Sequence, residues 1–480
     1  MSLLLRNGRL PGGDVPVDLH LEGDRIAAVG PGLVAPGAKV LELDGRVLIP
    51  GLWDQHVHLT QTALARQRLD LSPAGSAAEA AALVRAQLDA TGLPPQGLPF
   101  VGTGFRDGLW PDDPDPALLD AAAGDVPVVL VSADLHCCWL NTAAAARFGT
   151  EPGLLREDAC FAVVRSLDDV PAEVIDRWVL DEGRRAATRG VVGVVDLEMR
   201  WNADDWQRRV AEGFDALRVR FGVYPQHLDR AIEAGLSTGR ALAPLLEVGP
   251  FKVITDGSLN TRTAFCVDPY PGLDSRGLLT VPPEELGRML ERADAAGLVP
   301  AVHAIGDDAN RLALDVFARL GLRGRIEHAQ LLRHEDVPRF AELGVIASVQ
   351  PEHAMDDRDV ADRYWAGRTE RAFVLRSLIE SGATVVLGSD APVAPLDPWV
   401  AIAAATTRSR EAREPWHPEQ RIDVATALRC SSDGVDELLP GGRADVAVLD
   451  ADPVRSEPAA LREFPVAVTL VAGRVTHSTL

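Results

Sequence analysis

The chain has 480 residues, 46% hydrophobic and 25% charged, with a formal net charge of −22. That length exceeds one ordinary core and allows roughly two to three domains, or one large barrel with an appendage. The acidic balance argues against nucleic-acid and anionic-membrane partners, because both need basic patches. The five cysteines (137, 138, 160, 266 and 430) are odd in number and form no C-x-x-C pair. Neither a disulfide framework nor a Cys-based zinc site is expected, and a reducing cytoplasm is the simplest setting.

The opening "MSLLLRNGRL" has too short an apolar run for a signal peptide. No later stretch approaches the roughly 18–20 apolar residues of a membrane span. Residues 1–50 break into short alternating pieces separated by Gly, Pro and Asp, which predicts several small strands. The tail, 436–480, has the same texture in "RADVAVLDADP" and "AVTLVAGRVTHSTL". Neither end offers enough strands for an independent sheet, so both are expected to pair into one small β-sandwich.

Between them lie eight short apolar runs: "VLIPGLWDQHVHL", "GVVGVVDLE", "ALRVRFGVY", "PFKVITDG", "LVPAVHAIGD", "RGRIEHAQ", "GVIASVQPEH" and "ATVVLGSDAP". Helix-length segments such as "PPEELGRMLERADAAG" and "DDANRLALDVFARLG" separate the later ones. Eight β-then-α units predict an α/β chain with a closed (β/α)8 barrel over 51–435. No Gly-rich dinucleotide fingerprint follows any run. The interval from about 60 to 180 is too long for one connection, and reads as a subdomain inserted over the barrel mouth.

Active-site residues of such barrels sit at the C-terminal strand ends. The first run ends in His56 and His58, two apart and so on one face of a strand. The fourth carries Lys252 and Asp256, the fifth His303, the sixth His328 and the eighth Asp390. Singly each is weak, since a lone strand-end His is more often a satisfied loop residue. Their coincidence at converging ends is the signal. Neutral imidazoles and a carboxylate suit zinc, with manganese, iron or cobalt as alternatives. Five ligands exceed one tetrahedral site and point to two divalent ions.

Lys252 is one of only two lysines among the 48 Lys and Arg residues, the other being Lys39. A neutral lysine can add CO2 and become a carbamate able to bridge two ions. A guanidinium, always charged, cannot. The alternative is an ordinary buried lysine paired with a carboxylate.

The stretches "GLWDQHVHL", "FKVITDGSLNTRTA", "AVHAIGDDAN", "RIEHAQLL", "GVIASVQPEH" and "VLGSDAPVAPLDPW" resemble the amidohydrolase superfamily. The likeness is closer to its YtcJ-like branch, amidohydrolase family 3, which includes N-substituted formamide deformylases. The resemblance spans nearly the whole chain and implies that His56, His58 and Asp390 hold the more buried metal. It implies that His303 and His328 hold the second, and that carboxylated Lys252 bridges them. The pattern departs at Asn260-Thr261, where members often have Gly-Ser.

The expected activity is hydrolysis of an amide-type C–N bond in a small molecule, an N-substituted amide or formamide, by water activated at the metals. Asp390 is the expected catalytic proton carrier. A deaminase, or an ester or cyclic-amide hydrolase with the same centre, is the second reading. A non-catalytic ligand-binding or regulatory protein is the third, which would be marked by loss of a ligand that this chain retains. Asp134, His136, Asp256, Arg262, Gln350 and His353 are the candidate substrate contacts, with loop capping as the plainer alternative for each. A homodimer is compatible with the sequence but not read from it.

Overall fold

The computed structural model describes residues 2–95, 97–107, 110–132, 137–167 and 170–480, and not the side chains of 157, 158, 161 and 165. The chain divides into two compact units, Met1–Leu59 with Glu182–Leu480, and Thr60–Asp181.

The larger unit holds a nearly closed parallel barrel. Its strands are β1 (Leu52–Val57), β2 (Val191–Asp196), β3 (Arg218–Val223), β4 (Leu246–Ile254), β5 (Pro300–Ala304), β6 (Arg325–His328), β7 (Ile346–Val349) and β8 (Val385–Leu387). They neighbour one another in chain order, and every pair from β1–β2 to β7–β8 is parallel. Closure runs through the segment after β8. The Asp390 amide donates to the His56 carbonyl (2.7 Å) and the His58 amide to the Ala391 carbonyl (2.8 Å). Seven of the eight apolar runs contain one barrel strand each, and the fourth holds the second half of β4, which begins four residues earlier at Leu246. All six residues of β1 and of β2 are buried, which is why they read as continuous apolar runs rather than as alternation. The helices Pro283–Ala295 and Asp307–Leu320 fall where periodicity predicts them. The second carries Asp307 and Asp308 in its first turn and ends at Gly321 in the left-handed conformation (φ 63°).

The first run needs a correction. Val47–Pro50 pairs antiparallel with Val446–Leu449, and the chain enters β1 only after Gly51. Pro50-Gly51 thus hands the backbone from one sheet to another. The expectation that neither end suffices for a sheet also fails. Ser2–Gly8, Val17–Glu22, Arg25–Gly30 and Lys39–Glu42 make a four-stranded sheet from N-terminal residues alone. The C-terminal strands Val446–Leu449, Val466–Val471 and Arg474–Ser478 do recruit Val47–Pro50 to complete theirs. Leu3, Leu5, Leu19 and Leu21 pack with Leu48, Val446, Val468 and Leu470 in one core between the two sheets.

The smaller unit, Thr60–Asp181, has a sheet of its own. Its five-stranded sheet runs, edge to edge, Gly153–Arg156, Cys137–Leu140, Val128–Ser132, Phe100–Phe105 and Arg68–Asp70. One face packs Phe100, Val128, Leu130 and Trp139 against Val84, Leu88 and Leu119 of the helices Ala77–Thr91 and Pro116–Ala123. The other packs Val129, Val131, Cys138 and Leu140 against Ala144, Cys160 and Val163. Two cores on one sheet make this a three-layer domain. Among the described residues no helix is long and apolar enough to cross a membrane.

Candidate metal centre

His56 on β1 and His58 just past it present their Nε2 atoms 3.4 and 3.2 Å from Asp390 Oδ1. Asp390 follows β8 in a left-handed backbone conformation (φ 57°), and His328, the last residue of β6, does the same (φ 74°). Such backbone costs about 1–3 kcal/mol in a non-glycine residue and collects at functional sites. Gly388 lets β8 approach β1, since a Cβ there would lie 2.8 Å from the His56 amide nitrogen and 2.9 Å from the His56 Cβ. Asp54 Oδ1 locks the two segments, accepting from the His56 amide (3.1 Å) and the Ser389 amide (2.9 Å). Burial pushes the Asp54 carboxyl up to about 7, although these hydrogen bonds oppose the rise.

Two of the imidazoles, His56 and His328, are tied down at the far nitrogen. His56 Nδ1 lies 2.7 Å from Glu327 Oε2. Glu327 is fully buried and gripped by Arg325, whose Nε donates to Oε1 at 2.5 Å. Arg325 also donates to Ser348 Oγ (2.6 Å) and to the Gln55 carbonyl (2.7 Å). Burial alone would raise the Glu327 carboxyl, but Arg325, Lys252 and His56 hold it well below its usual range. An ionised Glu327 accepts the Nδ1 proton, which leaves the His56 Nε2 lone pair facing Asp390. His328 Nδ1 likewise lies 2.8 Å from Gln350 Oε1, an acceptor. Burial, with Lys252 adding to it, brings the His56 imidazole down to about 4. Burial, with His303 and His56 adding, brings His328 down as well. Both rings are neutral, the form that binds metal.

Asp390 is the anion among them. Burial would raise its carboxyl, but the imidazoles of His56, His58, His328 and His353 hold it well below the usual range. The rings form a continuous cluster, with centroids 5.6 Å apart for His56–His58, 5.0 Å for His56–His328, 4.5 Å for His303–His328 and 6.2 Å for His328–His353. Lys252 on β4 is 2% exposed, and its Nζ has no hydrogen-bond partner. Burial lowers its amine to about 8, against the pull of Glu327 and Asp390. His353 Nε2 is also buried and unpartnered. Neutral imidazoles, a carboxylate and unsatisfied buried nitrogens are the donor set of a divalent-metal site, so the residues fit the ions expected from the sequence.

The candidate substrate contacts divide. Asp256 is spent on backbone, accepting from the amides of Phe265 (2.9 Å), Ile305 (3.0 Å) and Gly306 (2.9 Å). Arg262 is exposed, its guanidinium carbon 5.5 Å from the centroid of the Tyr364 ring. Gln350 serves His328, and His353 joins the ring cluster. Asp134 and His136 lie outside the described residues. Glu327, Arg325, Asp54 and Ser348 were missed by sequence reasoning. Their one signal is a pair of opposite charges, Arg325 and Glu327, two apart within a four-residue buried strand.

The amidohydrolase family model matches residues 39–477. The chain is 27% identical to putative amidohydrolase YtcJ of Bacillus subtilis, over 92% of this chain and 91% of that one. It is 26% identical to the N-substituted formamide deformylase of Arthrobacter pascens, over 94% and 93%. A crystal structure of a metal-dependent hydrolase from Pyrococcus horikoshii OT3 superposes with a TM-score of 0.81 at 26% identity, covering 95% of this chain and 99% of that one. Barrel, strand-end histidines and family match agree, and the chain belongs to the amidohydrolase family of metal-dependent hydrolases.

Proposed function

We propose that this hydrolase cleaves an amide-type C–N bond in a small molecule, with N-substituted amides or formamides as the substrate class. The observation that carries the reading is the convergence of five imidazoles and Asp390 around buried nitrogens that lack partners. Likeness to a formamide deformylase over most of both chains supports the substrate class.

His56, His58 and Asp390 would hold one divalent ion, and His303 and His328 a second, with zinc first among the candidates. Lys252 would join them as a carbamate. Its neutral amine forms an N–C bond to CO2, a proton leaves to solvent, and an anionic bidentate group remains. Bound ions supply Lewis acidity that activates water and polarises a carbonyl. The protein's own part in the reaction falls to Asp390. It is ionised, 3.2–3.4 Å from two imidazoles, and placed to accept the proton of the attacking water and return it to the leaving amine nitrogen. Glu327 and Gln350 hold the imidazoles of His56 and His328 in one tautomer throughout. The five free, buried cysteines suit a reducing cytoplasm.

The test is a panel of N-substituted formamides, amides, esters and aminated heterocycles, with products separated by chromatography. Release of an amine together with a carboxylic acid is expected. Turnover only of aminated heterocycles, with ammonia as product, would replace this reading by a deaminase.

A further inference from the structure

Below the metal centre, one side chain touches three barrel strands. Arg325 and Glu327 lie two apart on β6, hence on one face of it, and are 8% and 0% exposed. The Arg325 guanidinium donates to Glu327 twice, from Nε to Oε1 at 2.5 Å and from Nη2 to Oε2 at 3.2 Å. It donates to Ser348 Oγ on β7 at 2.6 Å, and to the carbonyl (2.7 Å) and Oε1 (3.3 Å) of Gln55 on β1. β7 and β8 lie between β6 and β1 around the barrel, so the contact to Gln55 crosses the interior. Each acceptor leads to a metal-site imidazole. Gln55 precedes His56 in the chain. Glu327 Oε2 lies 2.7 Å from His56 Nδ1. The Ser348 carbonyl accepts from Gln350 Nε2 at 3.5 Å, and Gln350 Oε1 lies 2.8 Å from His328 Nδ1.

We infer that Arg325 is a positioning residue shared by both metal sites. It fixes His56 through Glu327 and the Gln55 carbonyl, and His328 through Ser348 and Gln350, so that the two imidazoles are oriented together rather than separately. The ion-counting part of the inference rests on the two-ion reading above; the ring orientations do not. The register of the sheet supports it. Glu327 and Ser348 are Cα partners in the β6–β7 pairing, which sets their two oxygens side by side for one planar donor fork. A guanidinium can serve a carboxylate, a hydroxyl and a carbonyl at once from five N–H groups in fixed directions. An ammonium on a flexible stem holds the charge but not that geometry. Partners that orient metal ligands from behind are worth about 10–100-fold in metal affinity, and Arg325 stands behind two such partners. A plain internal ion pair, by contrast, would add only to the stability of the barrel.

The experiment compares wild type with Arg325→Lys, Arg325→Gln and the one-sided variant Glu327→Gln, with thermal melts to verify folding. Two readouts are taken. Cobalt(II) titration of the metal-free chain gives the affinity of each ion and its visible d–d spectrum. Nitrogen NMR of the metal-free chain with ¹⁵N-labelled histidine reports which ring nitrogen of His56 and His328 carries the proton. Both Arg325 variants are expected to weaken both ions by about 10–100-fold, to change the spectrum, and to mix the tautomers of both rings. Glu327→Gln is expected to weaken one ion and disturb His56 alone. Should Arg325→Lys or Arg325→Gln fold with a lower melting temperature but keep both ions, the spectrum and both tautomers, Arg325 is a structural ion pair and the inference is overturned. Should only His56 respond, the shared role is overturned. A wild type that binds fewer than two ions sinks the two-ion reading, and the tautomers of His56 and His328 then decide the inference by themselves.

Discussion

The larger unit holds two clusters of charge, one half-buried and one buried, and they are built on opposite terms. In one, Arg220 donates to both oxygens of Asp433 (2.6 and 3.0 Å), Arg443 donates to Asp433 Oδ2 (2.8 Å), and Gln55 donates to Asp433 Oδ1 (3.1 Å). The two guanidiniums also lie over the Trp53 ring, at 4.4 and 5.4 Å. This cluster is closed upon itself. In the other, around Asp390, Lys252 Nζ and His353 Nε2 are buried with no partner. An unpaired buried polar group costs about 1–3 kcal/mol. A protein that satisfies Asp433 four times over and leaves Lys252 unsatisfied is keeping a place for something else. Arg325 joins the two clusters, reaching Gln55 on one side and Glu327 on the other.

The contrast can be broken by mutation, and the largest effect belongs to the open cluster. Asp390→Asn is expected to lower kcat by about 10²–10⁴-fold, the range for loss of a positioned proton carrier, while elemental analysis still finds at least one ion. Full activity in that variant would remove Asp390 from the chemistry. Glu327→Gln comes next. It keeps the shape but loses the charge that fixes the His56 tautomer, and metal affinity should fall about 10–100-fold in a competition titration.

The closed cluster should answer in stability instead. Arg220→Ala strips Asp433 of its two-point partner while leaving Arg443, and about 2 kcal/mol should be lost in denaturant unfolding, with metal content unchanged. The pH dependence has a definite sign. Burial would raise the Asp433 carboxyl, but Arg220 and Arg443 outweigh it and keep it below its ordinary value of 3.8. A depressed carboxylate contributes stability above its unfolded pKa and loses it as pH falls through the folded one. Arg220→Ala should therefore move the onset of acid unfolding to higher pH. The smallest effect is expected at Asp357, which ties Asn260 (2.7 Å) and Gln330 (2.9 Å) together. Asp357→Ala should cost about 1 kcal/mol and leave metal content as it is.

The sequence made the open cluster easier to see than the closed one. His56, His58, His303, His328 and Asp390 are rare residue types at the ends of apolar runs, and barrel topology brings such ends together. Glu327 and Arg325 are common types whose meaning lies in what they touch across the barrel, and spacing within one strand cannot show that. His353 lies in a quoted run, yet only the fold places it beside His328. Gly51 was read as part of one strand because two strands of different sheets abut there with no loop between them. The N-terminal sheet was underestimated because Lys39–Glu42, its fourth strand, pairs parallel with Ser2–Gly8 from a distance no hairpin signal marks.

The most direct test of the central claim is metal content per chain, by elemental analysis of wild type and Lys252→Ala prepared with bicarbonate. The account predicts about two ions in wild type, falling to one or none in the variant. Equal content in both would contradict it and leave the unpartnered Lys252 without its role.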